Sequence, residues 1–423
     1  VLDGDVGGLS VPAGFMQAGA LPSEIVGALR AQQRLLNPHL LLREGLQDPS
    51  LVGDGGMDDV DGVPHRVATL TGDTAEIRLL VNEDTGFITR LDTMENNMLV
   101  RDVSVQVRYG SWESRGALAF PSTITLSIDG QALLEETRTG VELEPTVEEG
   151  YFDLPPEAGR PTVDEVELAY GHQTEQAVDA FFNLGFAFPE QPELQVLPLT
   201  PNVTLLAGQT NIVAVSYDQG LIVLEAPITP AHGVNVLDSL ALTFPGSPVT
   251  HLFQSHHHQD HAGGIRSFVA DGATIVVGAG VASFYEGVFG APSTVRPDLL
   301  SETDVTPVIE ELGDGGTFEL SDATVTVTGH HLASAHSQDM VITTVDVPGA
   351  RFVYVADLYN AGLGGTLILG GPEEFFAALR DFGIIEADCS SAVPLTIIPS
   401  HGFPLSLADS LAEVTGLGLD VGC

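Results

Sequence analysis

The run VTHLFQS (residues 249–255) leads directly into HHHQDH (256–261) and then AGG (262–264). Four of the chain's thirteen histidines fall within those six positions, with one carboxylate among them. Histidine at this density reads as a metal site, an expression tag or an accident. The run is internal and mixed with Asp260, which excludes a tag. His256 and His258 stand two apart, so on an extended segment both side chains project the same way. Asp260 and His261 follow on the turn into a helix. The segment can therefore aim two imidazoles at one cation and a carboxylate plus an imidazole at a second beside it. VTHLFQS reads as a strand, and the C-terminal end of a strand is where α/β folds hold their sites.

The surrounding pattern agrees. From about residue 200, NVTLLAG, NIVAVSYD and GLIVLEAP read as three strands in quick succession. HGVNVLDSLALTFP then has helical spacing, GIRSFVADG reads as a helix and ATIVVG as a strand. Alternating strands and helices mark layered sheets. The preceding region differs. Between about 63 and 145, HRVATLT, AEIRLLVN, FITRLDTM, VSVQVRYG and STITLSID alternate with period two and are separated by turn signals such as NEDTG and IDG. That is the pattern of an antiparallel meander. A helix is expected at 22–36 with Ser23 as its N-cap. A Pro-rich exit follows the meander at 152–161, and a second helical stretch stands at 174–183. The expected organisation is an antiparallel β-rich domain with a leading helix (1–155), a linker (156–194) and an α+β domain (195–423).

At 423 residues, two domains are the default. The charge balance is lopsided: 15 basic residues, all arginine, stand against 58 acidic ones, for a net charge of −43. Such a surface repels phosphate backbones and anionic headgroups, so nucleic acid is not an expected partner. No apolar run reaches the roughly 18–20 residues that span a bilayer. The chain opens on VLDGDVGGLS, without Met or a signal pattern, and reads as a secreted or periplasmic protein. On that reading Cys389 and Cys423 are a natural disulfide pair.

HHHQDH resembles the His-x-His-x-Asp-His signature of the metallo-β-lactamase superfamily, with AGG matching the small-residue helix entry. Three further positions complete the likeness in the family's order: His336 in ASAHSQDMVITTV, Asp357 after the strand FVYVA, and His401 in LTIIPSHG. The resemblance covers roughly 195–405. It implies an αββα sandwich and two Zn2+ ions, with iron or manganese as alternatives. His256, His258 and His336 would hold one metal, Asp260, His261 and His401 the other, and Asp357 would bridge them. It further implies a metal-bound hydroxide attacking a small carbonyl substrate (a lactone, ester or β-lactam), with Asp260 orienting the nucleophile and passing a proton to the leaving group. A carboxylate at 357 looks more like the lactonase, glyoxalase and arylsulfatase-like branches than the Cys-containing lactamases.

Tyr359 is a candidate catalytic hydrogen-bond donor to the substrate carbonyl. His257 should face away from the metals. His330 and His331 are candidate substrate contacts, SFYEGVFGAP (283–292) is a candidate pocket rim, and Trp112 is expected in a core. The meander weakly resembles the half-barrels of lipoprotein carriers. Two other functions stay open: a mononuclear iron dioxygenase of the same fold, and a lipid-binding module with a structural metal site. The partner is a small molecule, and the sequence leaves a homodimer open.

Overall fold

The computed structural model describes residues 33–71, 75–143, 145–150, 194–208, 210–363 and 371–423, plus the backbone of three short strands (Leu2–Asp3, Val6–Leu9 and Gly19–Ala20). The expected helix at 22–36 lies outside these residues except for 33–36, which are helical. The Pro-rich stretch at 152–161 and the helix at 174–183 also lie outside them, as does the 156–194 linker apart from its last residue. The chain forms two units, one of residues 1–189 with 292–297, the other of residues 190–291 with 298–423.

In the first unit a helix, α1 (Pro38–Gln47), precedes seven strands: β1 (Val52–Val60), β2 (Val63–Thr71), β3 (Glu76–Asn82), β4 (Ile88–Asn97), β5 (Arg101–Arg115), β6 (Leu118–Ile128) and β7 (Gln131–Thr137). Each pairs antiparallel with the next, giving one seven-stranded meander. The period-two pattern explains the packing. On β5, Val103, Val105, Val107 and Tyr109 turn inward to meet Leu41 of α1, Leu79, Leu91 and Leu126. Burying such side chains contributes roughly 1.5–3 kcal/mol each. Trp112 is half-buried, stacked on Phe87 at 4.8 Å, and donates to the Ile88 carbonyl at 3.1 Å.

The second unit contains two sheets. The first runs β8 (Gln195–Pro198), β9 (Val203–Ala207), β10 (Ile212–Tyr217), β11 (Gly220–Leu224), β12 (Val249–Phe253), β13 (Thr274–Val277) and β14 (Val308–Glu311) in spatial order. It is antiparallel as far as β11 and parallel from β11 to β14. The second runs β15 (Thr317–Ser321), β16 (Thr326–Leu332), β17 (Met340–Val347), β18 (Ala350–Ala356), β19 (Leu395–Pro399) and β20 (Leu405–Ser406), with β18 and β19 parallel. Val213, Val215, Ile222, Leu224 and Phe253 from one sheet and Val327, Val341, Val353 and Ile397 from the other share one core.

Helices cover the outer faces, which explains why β11 is a continuous apolar run and not an alternating one. Leu221, Ile222, Val223 and Leu224 are all buried. Helix α2 (Pro230–Thr243), capped by the Thr229 hydroxyl, packs on α4 (Ile265–Ala270), which follows the short α3 (Gln259–Ala262). Then come α5 (Ala282–Gly290), α6 (Pro372–Asp381) and α7 (Leu407–Gly416). This is the layered helix–sheet–sheet–helix arrangement expected from the sequence. Cys389 and Cys423 form a disulfide, with Cα atoms 5.4 Å apart and 34 positions separating them. Closing a loop of that size stabilises the fold by about 4 kcal/mol on chain entropy. No described helix is long and apolar enough to cross a membrane.

Candidate metal centre

Five strand ends and turns of the second unit deliver the site. β12 ends at Phe253 and the chain turns through Ser255 into His256 and His258. Asp260 and His261 sit in the single turn of α3. The turn between β16 and β17 carries His336, β18 ends one residue before Asp357, and β19 ends two residues before His401. The Gly263 of AGG has a geometric cause: a Cβ there would lie 2.0 Å from the Ile228 carbonyl oxygen. Gly402 has φ +127°, and a Cβ would lie 2.2 Å from the Ala361 oxygen, so no larger residue fits beside His401.

The seven sequence-selected ligands converge as two clusters. His256, His258 and His336 bring one ligand atom each to within 4.8 Å of one another, as do Asp260, His261, Asp357 and His401. Asp357 touches both: its Oδ2 is 3.1 Å from His261 Nε2 and 3.5 Å from His336 Nε2, and its Oδ1 is 3.6 Å from His401 Nε2. Asp260 Oδ2 lies 3.3 Å from His261 Nε2 and 3.5 Å from His401 Nε2.

Beneath the clusters sits a residue the sequence reading passed over. Glu225, fully buried at the end of β11, adopts φ +82°. Its Oε2 accepts from the Ser255 hydroxyl at 2.7 Å, from His261 Nδ1 at 3.1 Å and from the Tyr354 hydroxyl at 3.1 Å. Its Oε1 accepts from Gln254 Nε2 at 2.7 Å. Ser255, having donated to Glu225, is left to accept from His256 Nδ1 at 3.0 Å. The carboxylate thus fixes the orientation of one histidine in each cluster and holds the proton on Nδ1, so that Nε2 is the nitrogen each neutral ring offers to a metal. A signal was present in GLIVLEAP, whose apolar run ends on a carboxylate.

That arrangement fits divalent cations. His256 Nε2 faces His336 Nε2 at 3.2 Å, a spacing at which the two nitrogens can share either a proton or one cation. Among the described residues, buried His261 Nε2 and Asp357 Oδ1 have no hydrogen-bond partner, and buried polar atoms are rarely left so. Protonation states agree in the first cluster. In the second, the effect of burial is outweighed by the Asp357 and Asp260 carboxylates, which raise the pKa values of His261 and His401, so a cation bound there would displace protons. Burial and the neighbouring imidazoles push the pKa values of His256 and His258 down, which keeps them neutral. Burial would raise the Asp260 and Asp357 carboxyls, but His261 and His401 beside them hold both below the usual range. Neutral imidazoles and ionised carboxylates are the forms that ligate metal.

The remaining candidates sort differently. Tyr359 is not placed for catalysis. It is buried, and its hydroxyl donates to Glu413 Oε2 at 2.5 Å and toward the Ser410 carbonyl at 3.3 Å, so it anchors α7. Side chains alternate along an extended segment, so Tyr359, two after Asp357, was expected on the same side. The strand has already ended at Ala356, whose φ of +50° breaks that alternation. His331 is taken up structurally, bonding the Gly315 amide at 2.9 Å and the Gln338 carbonyl at 2.9 Å. His330 stacks on Phe382 at 5.0 Å. In SFYEGVFGAP, Tyr285, Val288 and Phe289 of α5 are buried, while half-buried Phe284 lies against His257 at 5.6 Å. His257 joins neither cluster and bonds Asp339.

Residues 205–391 match the metallo-beta-lactamase superfamily, so the second unit is a domain of that superfamily and the chain is a metal-dependent hydrolase of that class. Six of the seven clustered ligands fall inside the matched span, and His401 lies beyond it. Among solved structures, a metallo-beta-lactamase from Cronobacter sakazakii is 19% identical, covering 50% of this chain and 79% of its own, with a TM-score of 0.36. One from Pontibacter korlensis is 15% identical over 53% of this chain and 98% of its own, TM-score 0.37. The DIM-1 metallo-beta-lactamase is 14% identical over 53% and 96%, TM-score 0.36. No curated protein matches the chain.

Proposed function

We propose that this chain is an exported, binuclear zinc hydrolase acting on a small, uncharged carbonyl compound, a lactone or ester, with β-lactams as incidental substrates. The observation that carries this is Asp357, one carboxylate within 3.6 Å of ligand nitrogens from both clusters. Imidazole and carboxylate donors suit zinc. Two such cations, when bound, supply an acidified water and a Lewis acid for the carbonyl.

The chain's own residues do the rest. Glu225 and Ser255 hold His256 and His261 in the ligating tautomer. Asp260 is the most exposed of the clustered carboxylates, its side chain 35% accessible against 5% for Asp357. That exposure supports assigning to Asp260 the orientation of the attacking water and the return of its proton to the leaving oxygen.

Charge supports an uncharged substrate. The second unit has three arginines and no lysine. Buried Arg266 forms a bidentate pair with Asp298 at 2.6 and 3.0 Å. Arg351 binds Asp346 at 2.6 Å, and Arg380 binds the Val421 carbonyl at 2.7 Å. Each is committed elsewhere, so the arginines of this unit are not the groups that would meet a substrate anion. The disulfide supports an oxidising compartment, since such bonds are rare in reducing ones.

Elemental analysis of the purified chain beside a panel of lactones, aryl esters, sulfates, phosphodiesters and β-lactams tests the proposal. Two zinc ions per chain and turnover of lactones or aryl esters are expected. One iron per chain with oxygen consumption would replace it with the dioxygenase reading. His258→Ala and Asp260→Ala should each lose metal and at least about 100-fold in kcat/KM, in line with the loss of a charge-stabilising group. Full turnover by either variant rejects the ligand assignment.

A further inference from the structure

The spare histidine of the run has a partner that the metal clusters do not use. His257 Nδ1 lies 2.8 Å from Asp339 Oδ1, and the Ser337 hydroxyl donates to that same carboxylate oxygen. Ser337 Oγ is also 3.4 Å from His257 Nδ1. The Asp339 side chain is 5% exposed and its Oδ2, among the described residues, has no hydrogen-bond partner. A buried carboxylate without a counter-charge is costly, so His257 is the group that makes Asp339 tolerable there.

The pair joins two chain segments. His257 stands between the ligands His256 and His258, and Asp339 stands three residues after His336. The same two segments are tied once through the backbone, where the Val341 amide donates to the Ser255 carbonyl at 2.7 Å. The far side of Asp339 is fixed too. A Cβ on Gly278 would lie 2.0 Å from the Asp339 carbonyl oxygen, so its backbone rests directly on that glycine. The His257 ring is steadied by Phe284, edge-on at 5.6 Å.

We propose that His257 and Asp339 are positioning residues for the three-histidine cluster. Their bond holds the segment bearing His256 and His258 against the turn bearing His336, so that three ligands from two segments arrive in one geometry. Ligand orientation by outer groups of this kind is commonly worth 10–100-fold in metal affinity. The inference rests on the metal-binding reading above.

The test measures zinc affinity by chelator competition, and the visible absorption of the cobalt-substituted protein, for the wild type, Asp339→Asn, His257→Phe and the double variant. Each single variant should weaken the tighter-defined zinc by roughly 10–100-fold and alter the cobalt bands. The double variant should be no worse than either single, because one bond is lost in all three. Unchanged affinity and spectrum in His257→Phe would overturn the proposal, as would losses that multiply in the double variant. His257 is half-exposed, so His257→Phe decides the matter alone if Asp339→Asn does not fold. A wild-type chain that takes up no metal would instead refute the proposed function, which separates the two failures.

Discussion

At the scale of single residues, the site depends on a group that binds no metal. Glu225 accepts from Ser255, His261, Tyr354 and Gln254 with two oxygens, so it is the common anchor of both clusters. It does this in a left-handed backbone conformation, φ +82°, which costs of order 1–3 kcal/mol in a residue with a side chain. Such strain persists where the surroundings over-determine it, and five donors converging on one carboxylate, Ser400 Oγ at 3.3 Å with the four above, supply that. Glu225→Ala should free the His261 tautomer directly and the His256 tautomer through the released Ser255 hydroxyl, and cut metal affinity by roughly 10–100-fold. Elemental analysis after dialysis should then find less than the wild-type metal per chain, with an unchanged far-ultraviolet circular dichroism spectrum. Wild-type metal retention would show that the ligands orient themselves.

Secondary-structure elements explain which parts of the site were legible in the sequence. Ligands that leave a strand end announce themselves, because an apolar run breaks on a histidine or carboxylate: VTHLFQS before His256, FVYVA before Asp357, LTIIPS before His401. The layered architecture was legible for the same reason, since continuous apolar strands alternate with helical spacing. Glu225 carries the same mark in GLIVLE and was missed because Glu at a strand end has many uses. Asp339 was not legible at all; its pairing with His257 spans 82 positions and depends on how two turns meet. Tyr359 shows the opposite failure. Its spacing from Asp357 suggested the pocket, but the positive φ at Ala356 ends the alternation on which that expectation rested. The hydroxyl instead bonds Glu413 of α7, whose Oε2 also accepts from the Gly362 amide at 3.0 Å. Tyr359→Phe should therefore leave kcat within a factor of about two while lowering stability by about 1.5–3 kcal/mol, the range for losing a hydrogen bond to a charged group. Denaturant titration beside steady-state kinetics checks this, and a large fall in kcat at wild-type stability would return Tyr359 to the chemistry.

Across the whole molecule the governing quantity is the net charge of −43 on 423 residues, without one lysine. Self-repulsion of this size destabilises the folded state and repels anions from the surface, and both effects are screened by salt. Raising ionic strength from 0.01 to 0.15 M shortens the screening length from about 30 to about 8 Å. Tm should rise over that range, by roughly 2–4 °C for each kcal/mol of repulsion removed from a unit this size. Substrates provide the sharper reading. An uncharged aryl ester feels no long-range field, so its kcat/KM should stay flat once the protein is fully folded. A matched ester bearing a carboxylate must approach against the field, and its kcat/KM should climb with salt while remaining below that of the neutral ester. The two rates are measured at one temperature well below Tm, so that folding does not contribute. An anionic ester turned over faster than its neutral match at low salt would mean that a cationic group beyond the two metals reaches the pocket. The uncharged-substrate proposal would then fall, while the two metal clusters would be untouched by the result.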